Sequence, residues 1–177
     1  ELLEPVCGAQ FQSIGPLMPA QDNLYNYQQG RNTFNQILEK DAKILYLPEQ
    51  TVSKGILDLI HKGGYDTVFV EWNNIVRFAS SGVDKTVLYG SPKLKSLNGA
   101  KLNVLWNHSV LFQKVQRYVF GEIEIEDVTA YLNKEDRPDP GLLCFYGSDL
   151  EVFGYFPGKT LQFDEKMSAL RWGRYKT

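Results

Sequence analysis

The chain has 177 residues, of which 43% are hydrophobic and 23% charged, a composition typical of a single globular domain over 1–177. Its formal net charge of −2, with no basic stripe, argues against a nucleic-acid partner, and no apolar run reaches the roughly 20 residues of a membrane span. Two histidines and two cysteines are too few for a zinc finger or a disulfide-dense scaffold, and no other motif indicates a metal or a cofactor.

The first 32 residues predict an irregular N-terminal arm. Amide side chains are dense in this part of the chain, charges are scarce, and Pro5, Pro16 and Pro19 interrupt any regular element. The chain begins with Glu1 rather than Met, which is expected either of a processed mature form or of an excised domain. The first alternative implies an extracytoplasmic or secreted location.

Cys7 and Cys144 leave two alternatives open. A disulfide between them would tether the arm to the domain and stabilise the fold by roughly 4–5 kcal/mol. Cys144, however, lies in the apolar run 142–146, where a free buried thiol is the more common outcome.

Residues 33–120 predict an α/β core, a Rossmann-like parallel sheet with crossover helices. Strands and helices alternate through this region, with apolar runs for the strands and three-and-four spacing for the helices. In chain order they are a helix ending near Leu38, a strand over 43–47, a helix capped by Thr51 and ended by Gly63 and Gly64, a strand over 66–71, a short helix over 75–78, strands over 86–89 and 102–106 separated by the polar loop 90–101, and a helix over 108–120 that ends at Gly121.

Residues 121–177 predict mainly antiparallel β structure. Glu122–Glu126 alternates strictly between acidic and apolar residues, which is the period of a half-buried strand. A short helix capped by Asp127 follows, and the segments 142–156 and 160–175 predict a hairpin and a further antiparallel pair. The fold class is therefore α/β, or α+β, with a small antiparallel meander after the core.

Polar side chains follow each predicted parallel strand. In open parallel sheets, ligands bind beyond the carboxyl ends of the strands, so we expect these residues to line one rim. Indole rings can stack on sugars while amides and carboxylates bind hydroxyls, so the rim predicts a ligand-binding domain for a small polar molecule, such as a sugar or glycan. Its residues are Glu49, Glu71, Trp72, Asn73, Asn74, Ser91, Trp106, Asn107 and His108.

The same residues allow other interpretations. An enzyme at this rim, acting by glycosyl transfer or hydrolysis, would use Glu71 or Glu49 as acid or base with His108 as its partner. A protein-interaction or structural module would instead use the aromatic segment 142–175. Thr51, Asn107 or Ser109 would, in a purely structural interpretation, only cap helices.

Residues 64–72, with the sequence GYDTVFVEW, resemble a helix–strand unit in the first domain of two-domain glycosyltransferases. They also resemble units of periplasmic binding proteins and of other Rossmann-like domains. The resemblance implies an α/β unit in this segment and assigns no site residue, and the predicted antiparallel C-terminal third departs from these families.

Overall fold

The strands in the described part of the chain pair in one sheet. The structure, a computed structural model, describes residues 4–74, 93–135 and 147. In these ranges the strand order is β1-β2-β3-β5-β4, and all neighbours are parallel except β4, which is antiparallel to β5. This arrangement confirms the predicted α/β class. The strands are β1 (Val6–Cys7), β2 (Ile44–Tyr46), β3 (Thr67–Glu71), β4 (Lys93–Lys95) and β5 (Lys101–Asn107).

Helices connect the strands and follow the sheet. Those with both ends described are α1 (Ala20–Leu38), α2 (Lys54–Lys62), α3 (Ser109–Val119) and α4 (Ile125–Glu135). Residues 72–74 are also helical, and Gly15–Leu17 and Pro48–Gln50 form 3-10 turns. The described residues fall into two compact units: the first runs to Asn107 and contains the sheet with α1 and α2, and the second begins at His108 and contains α3 and α4.

The core of the first unit lies between the sheet and α2. Leu45 of β2 and Val68 and Val70 of β3 are fully buried, and Ile56 and Ile60 of α2 belong to the same cluster. The continuous apolar runs that predicted these strands are thus the ones that the sheet buries. Helix α2 starts two residues later than predicted, because the Ser53 hydroxyl, and not that of Thr51, accepts a hydrogen bond from Ile56 N at 3.2 Å.

The prediction of an irregular arm over residues 1–32 is wrong for most of its length. β1 pairs in parallel with β2, and α1 is a regular helix of 19 residues. The amides that indicated loop are internal groups here: Asn23 and Asn26 are buried and bind the backbone of the preceding segment. Gly30 allows the helix to approach this segment, because a Cβ there would lie 2.5 Å from Gly8 O.

The prediction of a strand over Glu122–Glu126 is also wrong. Helix α4 begins at Ile125, and the Asp127 carboxylate accepts a hydrogen bond from Glu124 N at 3.1 Å, so a capping contact wins over the alternating pattern. The helix predicted after it is confirmed, with an earlier start. The loop predicted over 90–101 contains β4, a strand too short to show a periodic pattern.

Cys7 is a free, buried thiol, so the disulfide alternative is corrected. Its Sγ lies 3.0 Å from Gly8 O and accepts a hydrogen bond from the Tyr65 hydroxyl at 3.3 Å. Because Cys7 lies on β1 inside the core, its thiol contacts protein groups and is shielded from solvent.

Several predictions lie outside the described residues. They are the short helix over 75–78, the strand over 86–89, Ser91, and the hairpin and antiparallel pair over 142–175. The interaction surface suggested for that last segment stays a prediction.

Candidate active site

The carboxyl end of β2 presents an unusual turn. After Tyr46 the chain enters the 3-10 turn Pro48–Gln50, in which Glu49 has φ 52 and ψ 9 and Gln50 has φ 48. Left-handed torsions cost non-glycine residues about 1–3 kcal/mol each, and they concentrate at functional sites. Glu49 is exposed, so a strained backbone holds its carboxylate out from the strand end.

The Glu49 carboxylate has a fixed neutral partner. Gln12 Nε2 donates a hydrogen bond to Glu49 Oε1 at 2.9 Å. The segment that carries Gln12 is held by the buried Asn26 of α1, whose Oδ1 accepts from Phe11 N at 2.7 Å and whose Nδ2 donates to Phe11 O at 3.0 Å. Asn26 therefore holds the backbone next to the residue that donates to the Glu49 carboxylate.

Gln50 joins the ends of two strands that are not neighbours. Its Nε2 donates to the Tyr46 hydroxyl at 2.7 Å, and its Oε1 accepts from Asn107 Nδ2 at 3.2 Å. Asn107 ends β5, and β3 lies between β5 and β2. The network therefore spans the carboxyl edge of the sheet.

Glu71 ends β3 in a different environment from Glu49. Only 7% of it is exposed, and its Oε1 accepts hydrogen bonds from Asn73 N at 3.1 Å and Asn73 Nδ2 at 2.9 Å. It lies opposite Asn107 in the β3–β5 register. Through these contacts Glu71 caps the start of the helical segment 72–74.

Trp72 and Trp106 are core residues. Each is 4% exposed, and their rings pack edge to face with centroids 5.2 Å apart. The expectation that these indoles stack on a sugar is therefore corrected, because neither ring offers an open face. Both rings belong to the hydrophobic core of the first unit.

His108 is the N-cap of α3. Its Nδ1 accepts a hydrogen bond from Leu111 N at 3.4 Å and lies 3.4 Å from the Tyr131 hydroxyl of α4. The structural interpretation expected Asn107 or Ser109 to cap this helix. The cap is instead His108, which lies between them in sequence. His108 belongs to the second unit, whereas the strand-end residues belong to the first.

The structure brings Glu49, Glu71, Asn73 and Asn107 to the carboxyl edge of the sheet, and Asn74, which follows Asn73 in sequence, is exposed. That these residues bind a ligand stays a prediction. Sequence reasoning missed Gln12 and Asn26. The dense amides of the N-terminal segment were a signal, since so many amides in one segment can serve a buried polar network.

In the described ranges, no group of three or more His, Cys, Asp or Glu side chains is placed to hold a metal ion. None of the helices there is both long and apolar enough to cross a bilayer.

The arrangement at the strand ends, an oriented and exposed carboxylate among amides, suits chemistry on a hydroxylated substrate. The family model described as glycosyl hydrolase family 57 matches residues 1–170. The chain belongs to glycosyl hydrolase family 57. No curated protein matches its sequence.

Two solved structures resemble this family 57 chain. A 4-alpha-glucanotransferase from Thermococcus litoralis superposes with a TM-score of 0.68 at 22% identity, covering 94% of this chain and 24% of its own. An exo-type maltose-forming amylase from Pyrococcus sp. ST04 gives 0.64 at 16% identity, covering 97% and 29% respectively. At these identities the likeness shows a shared fold, and this chain spans about a quarter of the length of either structure.

Proposed function

We propose that this chain carries catalytic residues of an enzyme that cleaves or transfers glycosidic bonds, with Glu49 as a catalytic carboxylate. The observation that carries the proposal is the turn at Glu49, which is strained, exposed and held by Gln12 at the carboxyl end of a parallel strand. Membership of a glycosyl hydrolase family supports an enzyme over a domain that only binds sugar.

The chemistry asks for a carboxylate in a fixed orientation. Glycoside hydrolases generally use a pair of acidic groups, one as general acid and the other as nucleophile or base. The Gln12 amide donates a hydrogen bond to Oε1 of Glu49, and this neutral donor adds no charge to the site. We assign the other oxygen, Oε2, to the reaction.

Glu49 is better suited than Glu71, the other carboxylate predicted for this role. A reacting group must reach the substrate, and Glu71 is buried with Oε1 engaged by Asn73. Glu71 therefore acts in this proposal as a positioning residue. The role of His108 as the partner of Glu49 stays a prediction, because the Nδ1 of His108 is already engaged as the N-cap of α3.

The proposed substrate is an α-glucan, such as a maltooligosaccharide. Support comes from the two structural neighbours, a 4-alpha-glucanotransferase and a maltose-forming amylase. Hydrolysis would create new reducing ends, whereas transfer would redistribute chain lengths without creating them, so one product analysis separates the two reactions.

The test is the Glu49→Gln variant of the full chain incubated with maltooligosaccharides. We expect the rate of product formation to fall by at least ~100-fold, since the variant loses the reacting carboxylate and keeps its size. Glu39→Gln is the matched control, because Glu39 is also an exposed glutamate with a left-handed backbone, φ 53, at the end of α1. Wild-type rates in a folded Glu49→Gln variant would contradict the proposal.

A further inference from the structure

The backbone of Glu49 lies between two anchored residues. Leu47, before it, is buried in the core, and Gln50, after it, donates a hydrogen bond from its backbone N to Leu47 O at 3.0 Å. Glu49 and Gln50 both have left-handed torsions, which persist only where the surrounding structure holds them. Glu49 is itself exposed, so the position of its carboxylate depends on how firmly residue 50 is held.

The Gln50 side chain ties this turn to the sheet at two points. One is the Tyr46 hydroxyl, whose ring stacks on Phe69 of β3 with centroids 5.0 Å apart, and the other is Asn107, which ends β5 and is 4% exposed. The Gln50 amide has one favourable orientation, because turning it over would set its NH2 group against the NH2 group of Asn107. We call Tyr46, Gln50 and Asn107 the strand-end brace.

A brace of this kind affects rate more than binding. A displacement of about 1 Å at a reacting group can cost roughly 100-fold in rate, even when the substituted residue is remote from the chemistry. The brace joins the turn of Glu49 to β5, two strands away in the sheet, so a change at Asn107 can reach the carboxylate through Gln50 alone.

We propose that Gln50 is a positioning residue for the reaction, and that it holds Glu49 in place through Tyr46 and Asn107. The inference rests on the proposed function, because it takes Glu49 as the reacting carboxylate. It also gives Asn107, predicted from the sequence to bind the ligand, a different role, since Asn107 acts on the reaction through Gln50.

The first test measures kcat and KM of the full chain for maltoheptaose. Gln50→Met keeps the length of the side chain and loses both side-chain hydrogen bonds of the brace. We expect kcat to fall roughly 10- to 100-fold while KM stays within about twofold. Tyr46→Phe and Asn107→Leu each remove one end of the brace, and each should give part of this fall.

Asn35→Leu is the matched control. Asn35 is also a half-buried amide with two partners, since it donates to Asp41 Oδ1 at 3.2 Å and accepts from Ala42 N at 2.9 Å. These contacts precede β2, whereas the brace follows it, so we expect Asn35→Leu to keep the wild-type kcat. An equal fall of kcat in Asn35→Leu and Gln50→Met would overturn the inference, because any lost amide contact would then have the same effect.

A second comparison separates positioning from a general loss of structure. In the Glu49→Gln background, adding Gln50→Met should change the residual rate by less than about twofold, because the brace acts through Glu49. A further fall as large as in the wild-type background would overturn the inference, and so would a wild-type kcat in Gln50→Met alone. Wild-type turnover in Glu49→Gln would instead contradict the proposed function.

Hydrogen exchange tests the brace without turnover. The backbone N–H of residue 50 is bonded to Leu47 O, and we expect its exchange, followed by NMR, to be at least roughly tenfold faster in Gln50→Met and unchanged in Asn35→Leu. Wild-type exchange at residue 50 in Gln50→Met would overturn the brace, whether or not the protein turns over the sugar. Faster exchange with an unchanged kcat would overturn its link to the reaction.

Discussion

Glu49 and Gln50 are held in a conformation that neither side chain favours. Both have left-handed torsions, and the two cost about 1–3 kcal/mol each. The buried Leu47 before the turn and the hydrogen bonds of Gln12 and Gln50 around it are what keep the chain there. A position of this kind trades stability for the orientation of one carboxylate.

Replacing Glu49 with glycine should separate the stability of the turn from the function of its carboxylate. Glu49→Gly removes the Cβ that opposes the left-handed torsion, so we expect the free energy of unfolding to rise by about 1 kcal/mol while glycosidic activity is lost. Glu39→Gly at φ 53 should give a similar rise with activity retained. Urea unfolding and the product assay measure both, and a Glu49→Gly variant less stable than Glu49→Ala, which loses the same hydrogen bond and keeps the Cβ, would show that the turn carries no strain.

At the scale of elements, α3 depends on an uncommon cap. Serine, threonine, aspartate and asparagine usually occupy the N-cap, and here the His108 ring accepts from Leu111 N. The same ring contacts Tyr131 of α4, so the imidazole links α3 and α4. These contacts give His108 a structural role, which can be measured separately from any catalytic role.

Two substitutions separate these roles. His108→Ala removes the cap and should lower the free energy of unfolding by about 1 kcal/mol, whereas His108→Asn restores a capping oxygen and should recover much of that loss. If His108 also transfers a proton, both variants lose product formation by at least ~100-fold. Stability measured by urea unfolding beside kcat decides the matter, and an active His108→Asn would leave the histidine with capping only.

Elements with strong apolar patterns were predictable. β2, β3 and β5 were found from apolar runs, and α2 and α3 from their amphipathic spacing. The end of α1 was predicted from the helical spacing before Leu38, but its first part was missed because its buried face includes Asn23, Asn26 and Gly30, which a hydrophobic pattern does not count. In α4 the strict alternation of residues 122–126 competed with a capping contact, and the local hydrogen bond decided the structure.

The residues of the rim were predictable only in part, because some of their contacts depend on tertiary packing. The rule that ligands meet the carboxyl ends of parallel strands located Glu49, Glu71 and Asn107. The Gln12–Glu49 hydrogen bond joins residues 37 positions apart, and the positive φ at Glu49 leaves no mark in composition or period. Such details arise from tertiary packing, which a single sequence does not display.

At the scale of the whole molecule, three buried acids lie where α1 meets the sheet. The Tyr65 hydroxyl donates toward Tyr27 O at 3.1 Å and Cys7 Sγ at 3.3 Å, and all three residues are 1% exposed. Burial raises the pKa of Tyr27 to about 12, and it raises the pKa values of Tyr65 and Cys7 as well. The folded protein therefore holds these groups neutral in alkaline solution.

This core should make the fold sensitive to alkali. In the unfolded chain the tyrosines ionise near pH 10, so above that pH deprotonation stabilises the unfolded state, and the stability present below pH 10 is lost as the pH rises toward 12. Tyr27→Phe should reduce the loss between about pH 9 and pH 11 by about 1 kcal/mol, because it removes one group with a raised pKa. Tyr25→Phe is the control, since Tyr25 is 59% exposed on the same helix. Urea unfolding of the three proteins at both pH values measures the difference, and identical losses in wild type and Tyr27→Phe would show that the Tyr27 hydroxyl ionises as readily in the fold as outside it.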